Sequence, residues 1–223
     1  MKKMLGICLF GLALALLLVS GATAQENFVK GGVAGVSGLK GHPVLPPWLI
    51  FSNCGAGCTS YNTGSGYYVS GTAAADGPGQ TLAMGFTPAS AKALSFHFAL
   101  TPNTNYTGVS GGRISAYLLN GTASGGPTTM LAKLTQHGTI PDYPNIKTVE
   151  YTSAKAVTFK KGQTYFLCET EPTSDVVMLW MLSNSDVTSP FWFQDSGSCT
   201  AKGLVWNNAT GAVDGAAFEV HAH

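Results

Sequence analysis

Charged side chains are scarce in this chain. Lys and Arg total 12 and Asp and Glu total 11 among 223 residues, about 10% of the sequence. The basic residues are dispersed, and beyond the first residues Lys160-Lys161 is the only adjacent pair. A nucleic-acid-binding protein needs a basic stripe that neutralises phosphates. The sequence therefore predicts no nucleic-acid partner, and Gly, Ser, Thr and Asn solvate the surface in place of charges.

Long apolar runs are equally rare, and the longest stands at the start. It extends from Leu5 to Val19, follows the positive Lys2 and Lys3, and precedes small residues that end at Ala24. This order is typical of a secretory signal peptide, so we expect residues 1–24 to be removed and the protein to be secreted. The run is shorter than the roughly 20 residues that span a bilayer, which disfavours the alternative of a retained anchor.

Beyond this segment no run is long enough to cross a membrane. The most apolar one, Val176 to Leu182, has the length of a buried strand. The segment from Phe218 to His223 contains neither a hydrophobic tail nor a basic stop signal. We therefore expect a secreted or extracellular protein without a membrane span after signal cleavage.

Cysteine is also infrequent, with five in the whole chain. Four lie beyond the signal segment: Cys54, Cys58, Cys168 and Cys199. An even number in an oxidising compartment indicates two disulfides, and four cysteines allow three pairings. Cys54–Cys58 is favoured because Gly55 and Gly57 let a short loop close tightly, and this leaves Cys168–Cys199. A zinc site is the alternative, disfavoured because only one C-x3-C pair is close in sequence.

Apolar residues alternate with small or polar ones along most of the chain. Strict alternation is typical of strands that bury one face. Residues 25–47 lack this pattern and are glycine-rich, which predicts an extended arm before a single domain at 48–223. The side chains predicted to point inward are Leu94, Phe96, Phe98, Ile114, Leu118, Phe159, Phe218 and Val220.

Turn signals separate about eleven such runs, and no segment has a convincing helical period. Asn120-Gly121 and Asp214-Gly215 are examples of these turn signals. Many short strands divided by frequent turns favour a sandwich. The sequence thus predicts an all-β fold, an antiparallel two-sheet β-sandwich of jelly-roll type.

Several segments together resemble the choice-of-anchor R family of bacterial exported proteins. The similarity covers Trp48 to Ala222. It is carried by Ser60-Tyr61-Asn62, Gly66 to Gly71, Gln80 to Pro88, Arg113 to Asn120, Gly126-Pro127, Leu131, Phe159 to Leu167, the strand around Trp180, and Ala217 to Val220. The resemblance implies a β-sandwich displayed at the cell surface or released from it, with no known enzyme activity. This chain lacks the C-terminal sorting signal of many members, which favours release.

Three short motifs invite a catalytic interpretation. Gly108 to Gly112 matches the G-x-S-x-G of hydrolases, but a strand rather than a helix follows it. Asp195-Ser196-Gly197 lacks the glycines of a protease motif and is interpreted as a turn. Glu169 and Glu171 share one strand face and could act as paired carboxylates, but are more often solvated or structural at a strand end. We therefore assign no catalytic residue and no cofactor.

Glu219, His221 and His223 form the most metal-like pattern. Alternate positions on a strand place all three on one face, and imidazole with carboxylate suits zinc or copper. Terminal residues fray, however, which weakens the assignment of a metal site. His97 lies on the polar face of its strand and is expected to be exposed.

Aromatic residues give the best indication of a ligand. Sugar-binding domains stack pyranose rings on exposed aromatic side chains, whereas buried aromatics fill cores. Trp180 lies in a dense apolar strand and is expected in the core. Exposure is expected instead for Trp192 and Trp206, which with Asp195 and Asn207 form the candidate ligand-binding set.

Three functions are consistent with these patterns. The first is a secreted, non-catalytic β-sandwich with a structural, adhesive or binding role, whose partner is an extracellular glycan or a surface protein. The second is a carbohydrate-binding module, which requires exposed aromatics lying in one plane. The third is a secreted hydrolase, which requires a pocket that holds a nucleophile or paired carboxylates.

Overall fold

A computed structural model gives the fold. It describes residues 46–71, 79–88, 91–102, 113–141, 145–171, 177–185, 187, 189–195, 198–200, 204–209 and 215–223. The predicted signal peptide, residues 25–45 of the arm, the G-x-S-x-G motif at 108–112 and residues 196–197 lie outside these ranges.

Within these ranges the protein is all-β, as the alternation predicted, and no helix occurs. No helical segment among them is therefore available to cross a membrane. Twelve strands are present: β1 Leu49–Ser52, β2 Tyr61–Ser70, β3 Thr81–Phe86, β4 Lys92–Pro102, β5 Ser115–Thr122, β6 Gly126–His137, β7 Lys147–Thr158, β8 Thr164–Thr170, β9 Val177–Ser183, β10 Phe191–Gln194, β11 Asn207–Asn208 and β12 Phe218–Ala222.

Antiparallel pairing joins these strands in the order β1-β12-β4-β7-β6-β5-β8-β3-β10-β11. The remaining two, β2 and β9, pair with each other, and β9 also pairs with the end of β4. Two long strands exchange partners along their length. Along β4, β12 pairs with the first part and β9 with Leu100–Pro102. Along β6, β5 pairs from the start to Leu134, and β7 pairs from Leu134 to His137.

The main core consists of the side chains that alternation places on one face of each strand. Phe96, Phe98, Ile114, Leu118, Phe159, Phe218 and Val220 all belong to it, as predicted. Trp180 is also fully buried there, and its indole N–H donates to the Ala217 carbonyl oxygen at 2.9 Å.

Leu94 is the exception, because it is only half-buried and the neighbouring Ala93 occupies the core instead. The pairing register of β4 shifts between Ala93 and Ser95 against both β7 and β12. An extra residue at such a β-bulge changes which side chain points inward. The prediction of an inward Leu94 was therefore wrong, because strict alternation does not continue through this point.

Both predicted disulfides are present, and each lies in a smaller cluster outside the main core. Cys54–Cys58 packs with Ala99, Met181 and Ala217. Cys168 alternates on β8 with the core residue Leu167, so its bond to Cys199 lies on the other face of the sheet. Each disulfide thus holds a loop against the sheet and helps to bury residues that lie outside the main core.

Asn53 positions the approach to β12 through its side chain. Its Oδ1 accepts a hydrogen bond from the Phe218 N–H at 2.8 Å, and its Nδ2 donates to the Ala216 carbonyl oxygen at 2.7 Å. The Asn53 carbonyl oxygen accepts hydrogen bonds from the Ser183 and Ser185 hydroxyl groups. The amide therefore satisfies backbone groups where regular pairing is interrupted.

Candidate functional site

The sheet assembles a row of histidine and glutamate side chains that the sequence did not reveal. Glu219 on β12 pairs with His97 on β4, His97 with Glu150 on β7, and Glu150 with His137 on β6. Directly paired residues on neighbouring strands share a face of the sheet. These four residues are far apart in sequence, so only the strand register could have revealed the row.

His221 lies against this row and stacks on His97. The two ring centroids are 4.0 Å apart with an angle of 22° between the planes. His221 Nε2 lies 3.0 Å from Glu219 Oε2, and Trp48 contacts His221 edge-on with centroids 5.0 Å apart. The buried Glu219 carboxylate also accepts the Cys58 N–H at 2.9 Å through Oε1. Glu219 therefore connects the first disulfide loop to the histidine pair.

His97 is half-buried rather than exposed, because the His221 ring covers it. Burial lowers the pKa of His97, the neighbouring His221 lowers it further, and Glu150 and Glu219 oppose both effects. Its Nε2 lies 3.0 Å from the Ser95 hydroxyl oxygen. The lowered pKa favours the neutral imidazole, whose Nε2 donates or accepts this hydrogen bond according to its tautomer.

The three predicted metal ligands do not come together as one group. Glu219 and His221 are in contact, but His223 is exposed and its backbone N–H donates to the Lys92 carbonyl oxygen. The His97 and His221 rings lie nearly parallel, so their nitrogens do not point at a common position. Among the residues described, no set of three or more His, Cys, Asp or Glu side chains is arranged to hold a metal ion.

Glu169 and Glu171 lie in very different environments despite sharing one face of β8. Glu169 is 0% exposed, and neither of its carboxyl oxygens has a hydrogen-bond partner among the described residues. Burial raises its pKa well above the usual value. Glu171 is only partly buried, and burial raises its pKa while Lys133 acts in the opposite direction. Glu169 is therefore a core side chain and not a solvated one.

The buried Tyr151 hydroxyl lies on the same side of the sheet as these carboxyls. The Tyr151 hydroxyl donates to Gln136 Oε1 at 3.1 Å, and the Ile114 N–H donates to the same oxygen, also at 3.1 Å. Burial raises the pKa of Tyr151 well above its usual value, and Glu169 and Glu171 raise it further. This effect places Tyr151 within electrostatic range of both carboxyls.

The predicted aromatic site is only partly exposed. Trp192 is 6% exposed, because its ring packs on Gly126 and on the cluster that contains the Cys168–Cys199 disulfide. The expectation that Trp192 is exposed was therefore wrong. Its indole N–H has no hydrogen-bond partner among the described residues.

The other members of this set remain accessible. Trp206 is half-buried against the same cluster, Asn207 is exposed and pairs with Phe193, and Asp195 is exposed directly after β10. The structure thus places Trp206, Asn207 and Asp195 around the edge where β10 and β11 meet.

Sequence reasoning did not single out Tyr117, which is half-buried and packs on this same cluster. The Lys133 ammonium lies 6.0 Å from the centre of its ring. The signal was the alternation of Tyr117 with the core residues Ala116 and Leu118, which places it on the opposite face of β5.

Fold and candidate site together define a disulfide-bonded all-β domain with an aromatic and polar sheet edge. No protein-family model and no curated protein matches this chain.

Proposed function

We propose that this chain is an exported, non-catalytic β-sandwich protein with a structural, adhesive or binding role outside the cell. The two disulfides carry the proposal, because such bonds persist in oxidising compartments and are rare in the cytosol. The signal-like segment at residues 1–24 supports the same location.

A two-sheet, jelly-roll-like arrangement is part of this proposal. The exchange of partners along β4 and β6 supports two layers. A continuous ladder of strands folds into two packed sheets where one strand pairs with different neighbours along its length. Side chains from both halves of the ladder, such as Phe96 and Leu167, belong to one core.

The resemblance to the choice-of-anchor R family supports an exterior role. The segments that carry it include strands of the described fold, among them β3 and β8. We propose membership on this resemblance alone.

Carbohydrate binding is the second candidate, and a specific observation favours it. Trp206, Asn207 and Asp195 combine one accessible aromatic ring with exposed amide and carboxylate groups at a sheet edge. Aromatic rings stack on sugar faces, and amide or carboxylate groups bind sugar hydroxyls.

Glycan-array binding of the chain from residue 25 onward tests both candidates. If the edge binds sugar, Trp206→Ala abolishes binding. Trp48→Ala leaves it intact, because Trp48 is exposed beside β1, at the other end of the strand order from β11. Absence of binding to any glycan excludes the carbohydrate candidate and leaves the structural or adhesive role. Turnover of glycoside or ester substrates by the wild type would overturn the non-catalytic assignment.

A further inference from the structure

One buried carboxyl of the described residues, that of Glu169, has no role in the proposed function. It lies in the central strand β8, between Leu82 of β3 and Ala116 of β5 in the ladder. Both neighbours belong to the main core, as do Tyr165 and Leu167 on the same face of β8. The side chain is 0% exposed, and both oxygens are without a hydrogen-bond partner among the described residues.

Among the described residues, no cation acts on this carboxyl. From β8 the titratable neighbour is Glu171, from β7 it is Tyr151, and from β6 Lys133 acts on Glu171. The two residues paired with Glu169 on β3 and β5 are apolar. Among the described residues, the ionisable groups near these carboxyls are thus the acid Tyr151 and the cation Lys133, which acts on Glu171.

An isolated carboxylate in an apolar interior is strongly unfavourable, and such a group becomes neutral by taking up a proton. We propose that Glu169 is a protonated acid in the folded protein at neutral pH and that rising pH weakens the fold, because the unfolded chain releases this proton at a lower pH than the folded protein does. The core then contains a pH-sensitive element in the strand that also provides the Cys168 disulfide. This inference is independent of the proposed exterior role.

The direction of the effect follows from proton linkage. In the unfolded chain a glutamate loses its proton near pH 4.3, whereas burial raises the pKa of folded Glu169. Between these two values the folded state holds one proton more than the unfolded state. The stabilisation is therefore complete below the unfolded pKa and is lost as the pH rises through the folded pKa. Over this window the unfolding equilibrium constant rises up to tenfold per pH unit.

Urea unfolding of wild type and Glu169→Gln between about pH 5 and pH 9 tests the proposal. The amide keeps the shape of the neutral acid but cannot ionise. We expect the wild type to lose stability relative to Glu169→Gln as the pH rises, by up to tenfold in the unfolding constant per pH unit. Glu171→Gln is the matched control and should show a smaller difference, because Glu171 is only partly buried. Parallel curves for wild type and Glu169→Gln would overturn the proposal.

A second measurement does not depend on the folding of the variant. Difference infrared spectra of the wild type should show the carbonyl stretch of a protonated carboxyl at neutral pH, and this band should vanish on alkaline titration. Absence of the band at neutral pH overturns the proposal. A calcium-dependent stabilisation would also overturn it. In that case calcium chloride would raise the melting temperature of the wild type but not of Glu169→Gln, because the carboxylate would hold a cation instead of a proton.

Discussion

Replacing Phe96 with alanine tests the register of β4. Both the core and the row of histidine and glutamate side chains depend on this register. Phe96 is fully buried and pairs with Val220 on one side and Tyr151 on the other. Burial of a phenylalanine contributes about 1.5–3 kcal/mol. The cavity left by truncation adds to this loss, so Phe96→Ala should cost about 3–5 kcal/mol. This is a large part of the roughly 5–15 kcal/mol that stabilises a typical domain.

The comparison variant is Leu94→Ala, two residues earlier on the same strand. Uninterrupted alternation would give Leu94 and Phe96 similar importance, but the β-bulge leaves Leu94 half-buried. We therefore expect Leu94→Ala to cost about 0.8–1.5 kcal/mol, half of the transfer free energy of a buried leucine. Ser95→Ala, which removes the contact with His97, should cost about 0.5–1.5 kcal/mol.

Urea unfolding followed by tryptophan fluorescence gives all three free energies under one set of conditions. The reasoning fails if Leu94→Ala is as damaging as Phe96→Ala, because the bulge would then be absent. It also fails if Ser95→Ala is the most damaging of the three, because the inside and outside of β4 would then be exchanged.

Two further predictions concern the chain start and one close packing contact. Intact-mass analysis of protein from the culture medium should show cleavage after Ala24, and a species that still begins at Met1 would contradict export with processing. Gly126→Ala should be clearly more destabilising than Gly138→Ala in thermal melts. Both glycines have positive φ, near +75° and +78°, but only at Gly126 would the new Cβ lie 2.9 Å from the Trp192 ring. Equal melting temperatures would show that this contact does not exist.

The period-two pattern predicted the class of fold and most of the core, because hydrophobic alternation is a local property. It identified Phe96, Phe218 and Val220 as core residues although they lie on strands far apart in sequence. It misplaced Leu94, because a β-bulge arises from the pairing of neighbouring strands and leaves no mark on the local pattern. The disulfide pairing could be predicted because Gly55 and Gly57 make one short loop easy to close.

The candidate sites were less predictable, because they depend on which strands become neighbours. Trp192 lies beside polar residues in sequence but under a disulfide-linked loop in space. Glu169 lies near a strand end in the sequence pattern, yet β3 and β5 enclose it on both sides. The stacking of His97 on His221 likewise requires the register between β4 and β12. Sequence alone indicated the chemical groups but not their burial.

The position of β12 has a consequence for how the molecule is made. This strand contains the last residues of the described fold, yet it lies between β1 and β4 and not at a free edge. The pairing of β1 with β12 joins segments separated by most of the domain, and such distant pairing is slow because a long loop must close first. A chain emerging from a ribosome or a translocation channel cannot complete this sheet until residue 222 is free. Pairing of β12 with β1 and β4 is thus a late step of folding, which requires residues 49 to 222 to be available together.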